Sequence, residues 1–340
     1  MLIQTLGEKK IHQVTSLPGG VSKGLIEKER ENFAKDLEYF IEFGKFTFQV
    51  FEDIVLKNSK YIDLILSEAF TQRTYYMGLV DENNKVNFYD GKVRVVNPDG
   101  VEFCKYEPKE YLEHISEHIE SWNYLKYPYL KKVGWKGLVA GNESGIYQAT
   151  PLSRLNVSDG MATPLAQEEY EKFYQTFTND SSGKIPVHHT LATHWARIIE
   201  LMYAAERANQ LINDPEITSE YIREIPLNKP SEGVGIVEAP RGTLTHHYVT
   251  DENGIVLKAN LIVGTTNNHA PISMSIKNAA KGLIKKGVEV TDGTLNMIEM
   301  AFRAYDPCFG CATHTLPGQM PLLLNIYDSD KNLIKQVNRS

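Results

Sequence analysis

Two of the three cysteines in this chain stand three residues apart near its C-terminus, within Asp306-Pro307-Cys308-Phe309-Gly310-Cys311-Ala312-Thr313-His314. This stretch constrains the fold more than any other. Two thiols at C-x2-C spacing can chelate one soft metal ion, and a nearby histidine can be a third ligand or a support. By its residues alone it reads as half of a structural zinc site built on Cys308, Cys311 and His314. Zinc takes four ligands, and the sequence holds no second cysteine pair. Either another chain completes the site, or the metal is not zinc.

The segments around the stretch must bring it partners. Phe33, Leu37, Phe40, Ile41, Phe48, Phe51 and Val55 recur at helical spacing and predict a long amphipathic helix after the loop signal Pro18-Gly19-Gly20. A second long helix is expected after Pro186, with Leu191, Trp195, Ile198, Ile199, Met202, Ala205 and Ile212 on its buried face. His188, His189 and His194 at its start read as capping or packing groups. Turn signals at Asp90-Gly91 and Asn97-Pro98-Asp99-Gly100 predict a small antiparallel sheet between Tyr75 and Tyr106, with Cys104 a small buried hydrophobe in its last strand.

Residues 109 to 125 read as a helix, with a core stripe of Tyr111, Ile115, Ile119 and Trp122. His114 to His118 matches the H-x-x-E-H pattern of some zinc peptidases, but the pattern is short and reads as a solvated helix face. Residues 133 to 166 read as an irregular segment.

After Gly242 the pattern alternates as a strand, and Ile255 to Val263 returns as its partner. Arg241 then sits at the mouth of a hairpin, where Thr265-Thr266-Asn267-Asn268 also ends. The plain structural reading pairs Arg241 with Glu238. Helices over Ser273 to Lys286 and Gly293 to Tyr305 lead into the cysteine stretch and must stop before Pro307, and the alternation of Leu322, Leu324 and Ile326 can add a strand. The fold expected is α+β and mainly helical: long core helices with antiparallel β-hairpins at their ends, the metal site lying where the Arg241 hairpin meets the Cys308 turn.

Composition excludes several classes. Acidic residues outnumber Lys and Arg by 43 to 36, so no broad basic face exists to neutralise phosphates and no nucleic acid is expected as partner. No run of about 18 apolar residues occurs, so no membrane span is expected. Three cysteines make no disulfide framework, and Met1-Leu2-Ile3-Gln4 lacks the apolar core of a signal peptide. A cytoplasmic location is the expectation.

The stretch from Asp306 to His314 resembles the C-terminal signature of the large subunit of nickel-iron hydrogenases. Glu238-Ala239-Pro240-Arg241-Gly242-Thr243-Leu244-Thr245-His246-His247 resembles that family's second signature, in the same order and spacing. Ile262 to Asn268 and Gly145 to Ala166 are similar to intervening segments of the cytoplasmic branch, coupled to NAD, F420 or heterodisulfide reductase modules.

The resemblance implies reversible heterolytic cleavage of dihydrogen at a nickel-iron centre with cyanide and carbonyl ligands on iron. It makes Cys308 a terminal nickel ligand and Cys311 a bridge between nickel and iron. Arg241 would overhang the open coordination position, Asp306 would orient it, and Pro240 and Thr265 would contact the cyanides. His314 would bind magnesium or a similar ion and mark where a maturation endopeptidase cuts. Residues 1–314 would then be the large-subunit-like domain and 315–340 a removable extension. The partners implied are an iron-sulfur small subunit and an electron-acceptor module.

The family's other C-x2-C pair and its proton-relaying glutamate have no match here. The expectation is therefore an N-terminally truncated portion whose site another chain or segment completes. Two alternatives follow from the same residues. One is a catalytically inactive hydrogenase-derived scaffold or assembly subunit; the other is a small zinc-binding module.

Overall fold

The computed structural model describes residues 2–11, 13–123, 125–313 and 322–339. The chain opens with α1 (Leu2–Gly7) and a minimal hairpin, β1 (Ser16–Leu17) and β2 (Gly20–Val21), where a plain loop was expected. Helix α2 (Glu27–Phe51) continues through a wider π turn at Glu52–Leu56 into α3 (Ser59–Leu66). Phe33 and Leu37 are buried as the periodicity predicts, but Phe40 is 46% exposed and lies off the packed face.

Strands β3 (Tyr75–Val80), β4 (Lys92–Val96) and β5 (Glu102–Tyr106) form the expected antiparallel sheet. Cys104 lies in β5, part-buried against this sheet's core. The predicted helix over 109–125 is instead one turn, α4 (Tyr111–His114), followed by β6 (Ile115–Ile119) paired with β7 (Lys126–Leu130). Ile119 is 73% exposed and Trp122 63%, so no helical core stripe exists there. Tyr127 and Leu130 bury themselves on the other strand. His114 stacks on Tyr106 and His118 on Trp135, so each imidazole packs against a different aromatic ring.

The segment 133–166 also carries more structure than its composition suggests. β8 (Tyr147–Gln148) adds to β3 in parallel, and α5 (Pro151–Asn156) follows at once. Thr150 accepts a hydrogen bond from the Ser153 amide and Pro151 fills the first helical position, so the Thr-Pro pair starts a helix. α6 (Pro164–Thr178) also opens on a Thr-Pro pair, but Thr163 does not cap it; the buried Glu206 carboxylate accepts from the Leu165 and Ala166 amides instead.

Helix α7 (Thr193–Ile212) is the axis of the helical core, burying Trp195, Ile199 and Met202 against α2 and α6. Gly44 of α2 allows the close approach, since a β-carbon there would lie 2.7 Å from Met202 Cε. The histidines before and at its start do not cap it. His188 meets the Tyr76 hydroxyl at 2.7 Å and His189 the Thr71 hydroxyl at 3.0 Å.

Strands β9 (Glu232–Ala239), β10 (Gly242–Thr250) and β11 (Val256–Ile262) form a meander rather than a single hairpin. Helices α8 (His269–Leu283) and α9 (Asp292–Arg303) pack on one another, and α10 (Phe309–Thr313) is a single turn bearing Cys311. The last described segment is a hairpin, β12 (Leu322–Tyr327) and β13 (Leu333–Arg339), where one strand was expected. No helix among the described residues is long and apolar enough to cross a membrane. The fold is α+β, with a helical core and a sheet core, and the cysteine turn lies beside the turn that follows β9.

Candidate metal centre

Three segments converge. The first is the two-residue turn Pro240-Arg241 between β9 and β10. Gly242 closes it with φ of +149°, and a β-carbon there would lie 2.4 Å from the Ala149 carbonyl oxygen and 2.5 Å from that of Gly264. Only glycine fits. The second is Gly264 to Asn268 after β11, and the third is the chain from Ala304 to Thr313.

Arg241 Nε donates to the Asp306 carbonyl oxygen at 2.7 Å and lies 3.3 Å from its carboxylate Oδ2. Asp306 stands in the left-handed region at φ +50°, which Asp tolerates better than most residues. The backbone turns there between α9 and Pro307. The Cys308 amide donates to Thr265 Oγ1 at 3.1 Å, and the Thr266 hydroxyl donates to the Ala312 carbonyl. Cys308 and Cys311 stand with Cα atoms 5.3 Å apart and their sulfurs joined. Pro240, Arg241, Thr265, Asp306, Cys308 and Cys311 therefore form one neighbourhood. His314 lies outside the described residues.

Behind this face lies a polar layer. Asn268 Oδ1 accepts from the Ala149 amide at 2.8 Å, while its amide group is within reach of the Ala149, Arg241 and Gly264 carbonyls. Asn267 accepts from the Tyr147 hydroxyl and donates to Thr243 O. Glu238, which the plain structural reading offered as a partner for Arg241, pairs with Arg154 at 2.8 Å, while Arg241 pairs with Asp306 as the resemblance implied.

Arg154 is 1% exposed and binds Glu200 through Nε (2.5 Å) and a terminal nitrogen (2.7 Å). It also donates to the carbonyls of Ala239 (3.1 Å) and Pro240 (3.3 Å). Burial opposes its charge, but the Glu200 and then the Glu238 carboxylates outweigh that and hold its pKa above the ordinary arginine value. Burial raises Glu238, with Arg154 opposing. A cavity of about 580 Å³ lies behind the turn, bounded by Phe88, Arg154, Arg197, Glu200, Leu201 and Pro240. Arg197 donates to the Ala304 carbonyl, and burial lowers its pKa against the pull of Asp306 and Glu200.

Sequence reasoning placed Asn267 and Asn268 at the mouth with Arg241, and missed Arg154 and Glu200. The available signal was a charge in an apolar run, Arg154 beside Leu152 and Leu155, and Glu200 between Ile199 and Leu201.

Among the described residues no group of three or more His, Cys, Asp or Glu side chains is placed to hold a metal ion. The donor set is two sulfurs on one helical turn. With both thiols reduced, that pair fits one side of a soft-metal site and leaves its remaining ligands to be supplied from beyond the described residues.

The chain matches the nickel-dependent hydrogenase family over residues 26–314. It is 46% identical over 336 residues to an F420-non-reducing hydrogenase iron-sulfur subunit of Archaeoglobus profundus, covering 99% of this chain and 68% of that protein. It is 35% identical to the NAD-reducing hydrogenase HoxS subunit beta of Cupriavidus necator, covering 98% of this chain and 67% of the relative. The fold is similar to that in the crystal structure of an NAD+-reducing [NiFe]-hydrogenase in the H2-reduced state. That similarity has a TM-score of 0.81 at 31% identity and covers 92% of this chain and 65% of the other. The chain thus spans about two thirds of the length of these relatives, and it belongs to the nickel-dependent hydrogenase family.

Proposed function

We propose that this chain is the portion of a hydrogenase large subunit that carries two of the nickel-iron ligands and the arginine above them. It would serve the reversible heterolytic cleavage of dihydrogen. The observation that carries this is the convergence of Arg241, Asp306, Thr265, Cys308 and Cys311 from three segments distant in sequence. A bound nickel-iron centre supplies the two-electron chemistry. The chain's own residues supply placement, donors and a local charge.

Cys308 and Cys311 would hold the centre through their thiolates. The Thr265 oxygen fixes the Cys308 backbone by accepting its amide hydrogen, and its own hydroxyl hydrogen would face a cyanide ligand. Pro240 would contact another ligand on iron. Arg241 holds a fixed cation whose remaining N–H groups can polarise dihydrogen or stabilise the charge that develops as it splits. Asp306 accepts from that guanidinium and would take part in passing on the proton.

The rest of the assembly belongs to the same proposal. It comprises an iron-sulfur small subunit to take the electrons, another chain or segment to complete the thiolate set, and an acceptor module of NAD, F420 or heterodisulfide reductase type. His314 would take magnesium or a similar ion and mark the cut of a maturation endopeptidase, within the cytoplasm.

The test is nickel and iron analysis, with hydrogen-dependent dye reduction, on the complex purified after co-expression with the neighbouring reading frames. Stoichiometric nickel that Cys308→Ser and Cys311→Ser abolish is expected. A parent complex without nickel would overturn the reading.

A further inference from the structure

We infer that Arg154 is a positioning residue for Arg241, acting through the carbonyls of Ala239 and Pro240; its consequence for catalysis rests on the hydrogenase reading.

A guanidinium has five N–H donors in a rigid plane. In Arg154 all five find acceptors: the two oxygens of Glu200, Glu238 Oε2, Ala239 O and Pro240 O. The last two belong to the residues immediately before Arg241. The plane therefore fixes the orientation of the two carbonyls from which the Arg241 side chain is launched. Glu200 anchors it to α7, and Arg154 itself sits on α5, so the turn is tied to two helices of the core.

Glu238 completes the clamp from the strand side. Its Oε1 accepts from the Leu79 amide at 2.7 Å and from the Thr243 hydroxyl at 3.0 Å. Arg197 lines the same cavity as Arg154 and Glu200.

A buried ion pair is weak evidence of stabilisation, since apolar residues of similar volume often do as well. What it supplies here is geometry. Lysine at this position would keep the charge but present its donors from a single point, and could not serve Glu200 and both carbonyls together.

The test labels the chain with nitrogen-15 arginine and follows exchange of the Arg241 Nε–H with water, assigned by its loss in Arg241→Lys. In Arg154→Lys the exchange is expected to accelerate at least about tenfold, as the bond to the Asp306 carbonyl opens more often. Thr163→Val, which removes a buried hydrogen bond to Glu206 at the start of α6, controls for general destabilisation and should leave the Arg241 signal unchanged. Thr243→Val, which only loosens Glu238, should give a smaller acceleration of the same sign and decides the matter if Arg154→Lys does not fold.

In the assembled complex, Arg154→Lys should lower kcat by on the order of 100-fold with KM for dihydrogen unchanged. Exchange no faster in the folded Arg154→Lys chain, or in Thr243→Val, than in the control overturns the inference, and so does fast exchange with unaltered kcat. If the parent complex shows no turnover, the hydrogenase reading fails and the exchange measurement alone decides the positioning.

Discussion

Arg241 grips Asp306 by its backbone more closely than by its side chain: Nε lies 2.7 Å from the carbonyl oxygen and 3.3 Å from the carboxylate. Asp306→Asn should therefore leave Arg241 in place and change mainly the local charge. Because both side chains are partly solvated, stability should move by less than about 1 kcal/mol. Turnover in the assembled complex should fall about tenfold in Asp306→Asn and on the order of 100-fold or more in Arg241→Lys. Equal losses in the two variants would contradict this division of roles.

Asn268 joins three carbonyls and one amide from the segments around the site. Asn268→Ala strands those buried groups and should destabilise the chain by about 2–4 kcal/mol. Asn268→Asp, which replaces the donor facing three carbonyls with another acceptor, should be worse. Urea unfolding midpoints of the two variants give the order.

At Gly242 a methyl group would collide with two carbonyl oxygens in a backbone region that other residues rarely adopt. Gly242→Ala should cost at least about 2 kcal/mol. Its effect should be greatest at the turn, read as faster amide exchange from residue 239 to 245. A thermal midpoint equal to the parent's would show that the turn can open without loss.

His188 bears on the response to acid. Burial, with Arg73 and His189 adding to it, pushes its imidazole from 6.5 down to about 4, so the folded chain holds it neutral. The unfolded chain binds the proton more readily. The contribution to stability is present above the unfolded pKa and is lost as pH falls from 6.5 towards 4. Unfolding free energies from denaturant titrations at pH 7 and pH 5 should differ by about 2 kcal/mol on this account, and His188→Gln should reduce that difference. An unchanged difference in the variant would assign the acid response to other groups.

The elements that could be read from sequence were those in which one period stands alone. The β3–β5 sheet has turn residues at each break, and α7 has an apolar stripe too long for a strand. Residues 109–125 misled because Ile115 and Ile119 fit both a helical step of four and a strand step of two. Only the pairing with β7 chooses between them.

The region around Arg241 and Cys308 could be located because each stretch is dense in unusual residues. Its support could not. Arg154 and Glu200 are ordinary charges in apolar helices until folding brings them to 2.5 Å of each other, and nothing in their spacing says that they meet. Glu238 illustrates the same limit, since the nearest cation in sequence is not the one it binds.

Thr265 accepting from the Cys308 amide also has a bearing on the order of events in folding. The contacts at the site join positions far apart along the chain, Thr265 with Cys308, Arg241 with Asp306 and Ala149 with Asn268. Loops of that length close late, after local helices and hairpins have formed. An unfinished chain would present two cysteines on an undocked turn, without the arginine above them or the threonine beneath. Metal delivered to such a chain would meet a bare dithiol. Metal delivered after docking would meet a shaped pocket face, so on the proposed function the docking of a single turn would act as a checkpoint on when the site is ready to be filled.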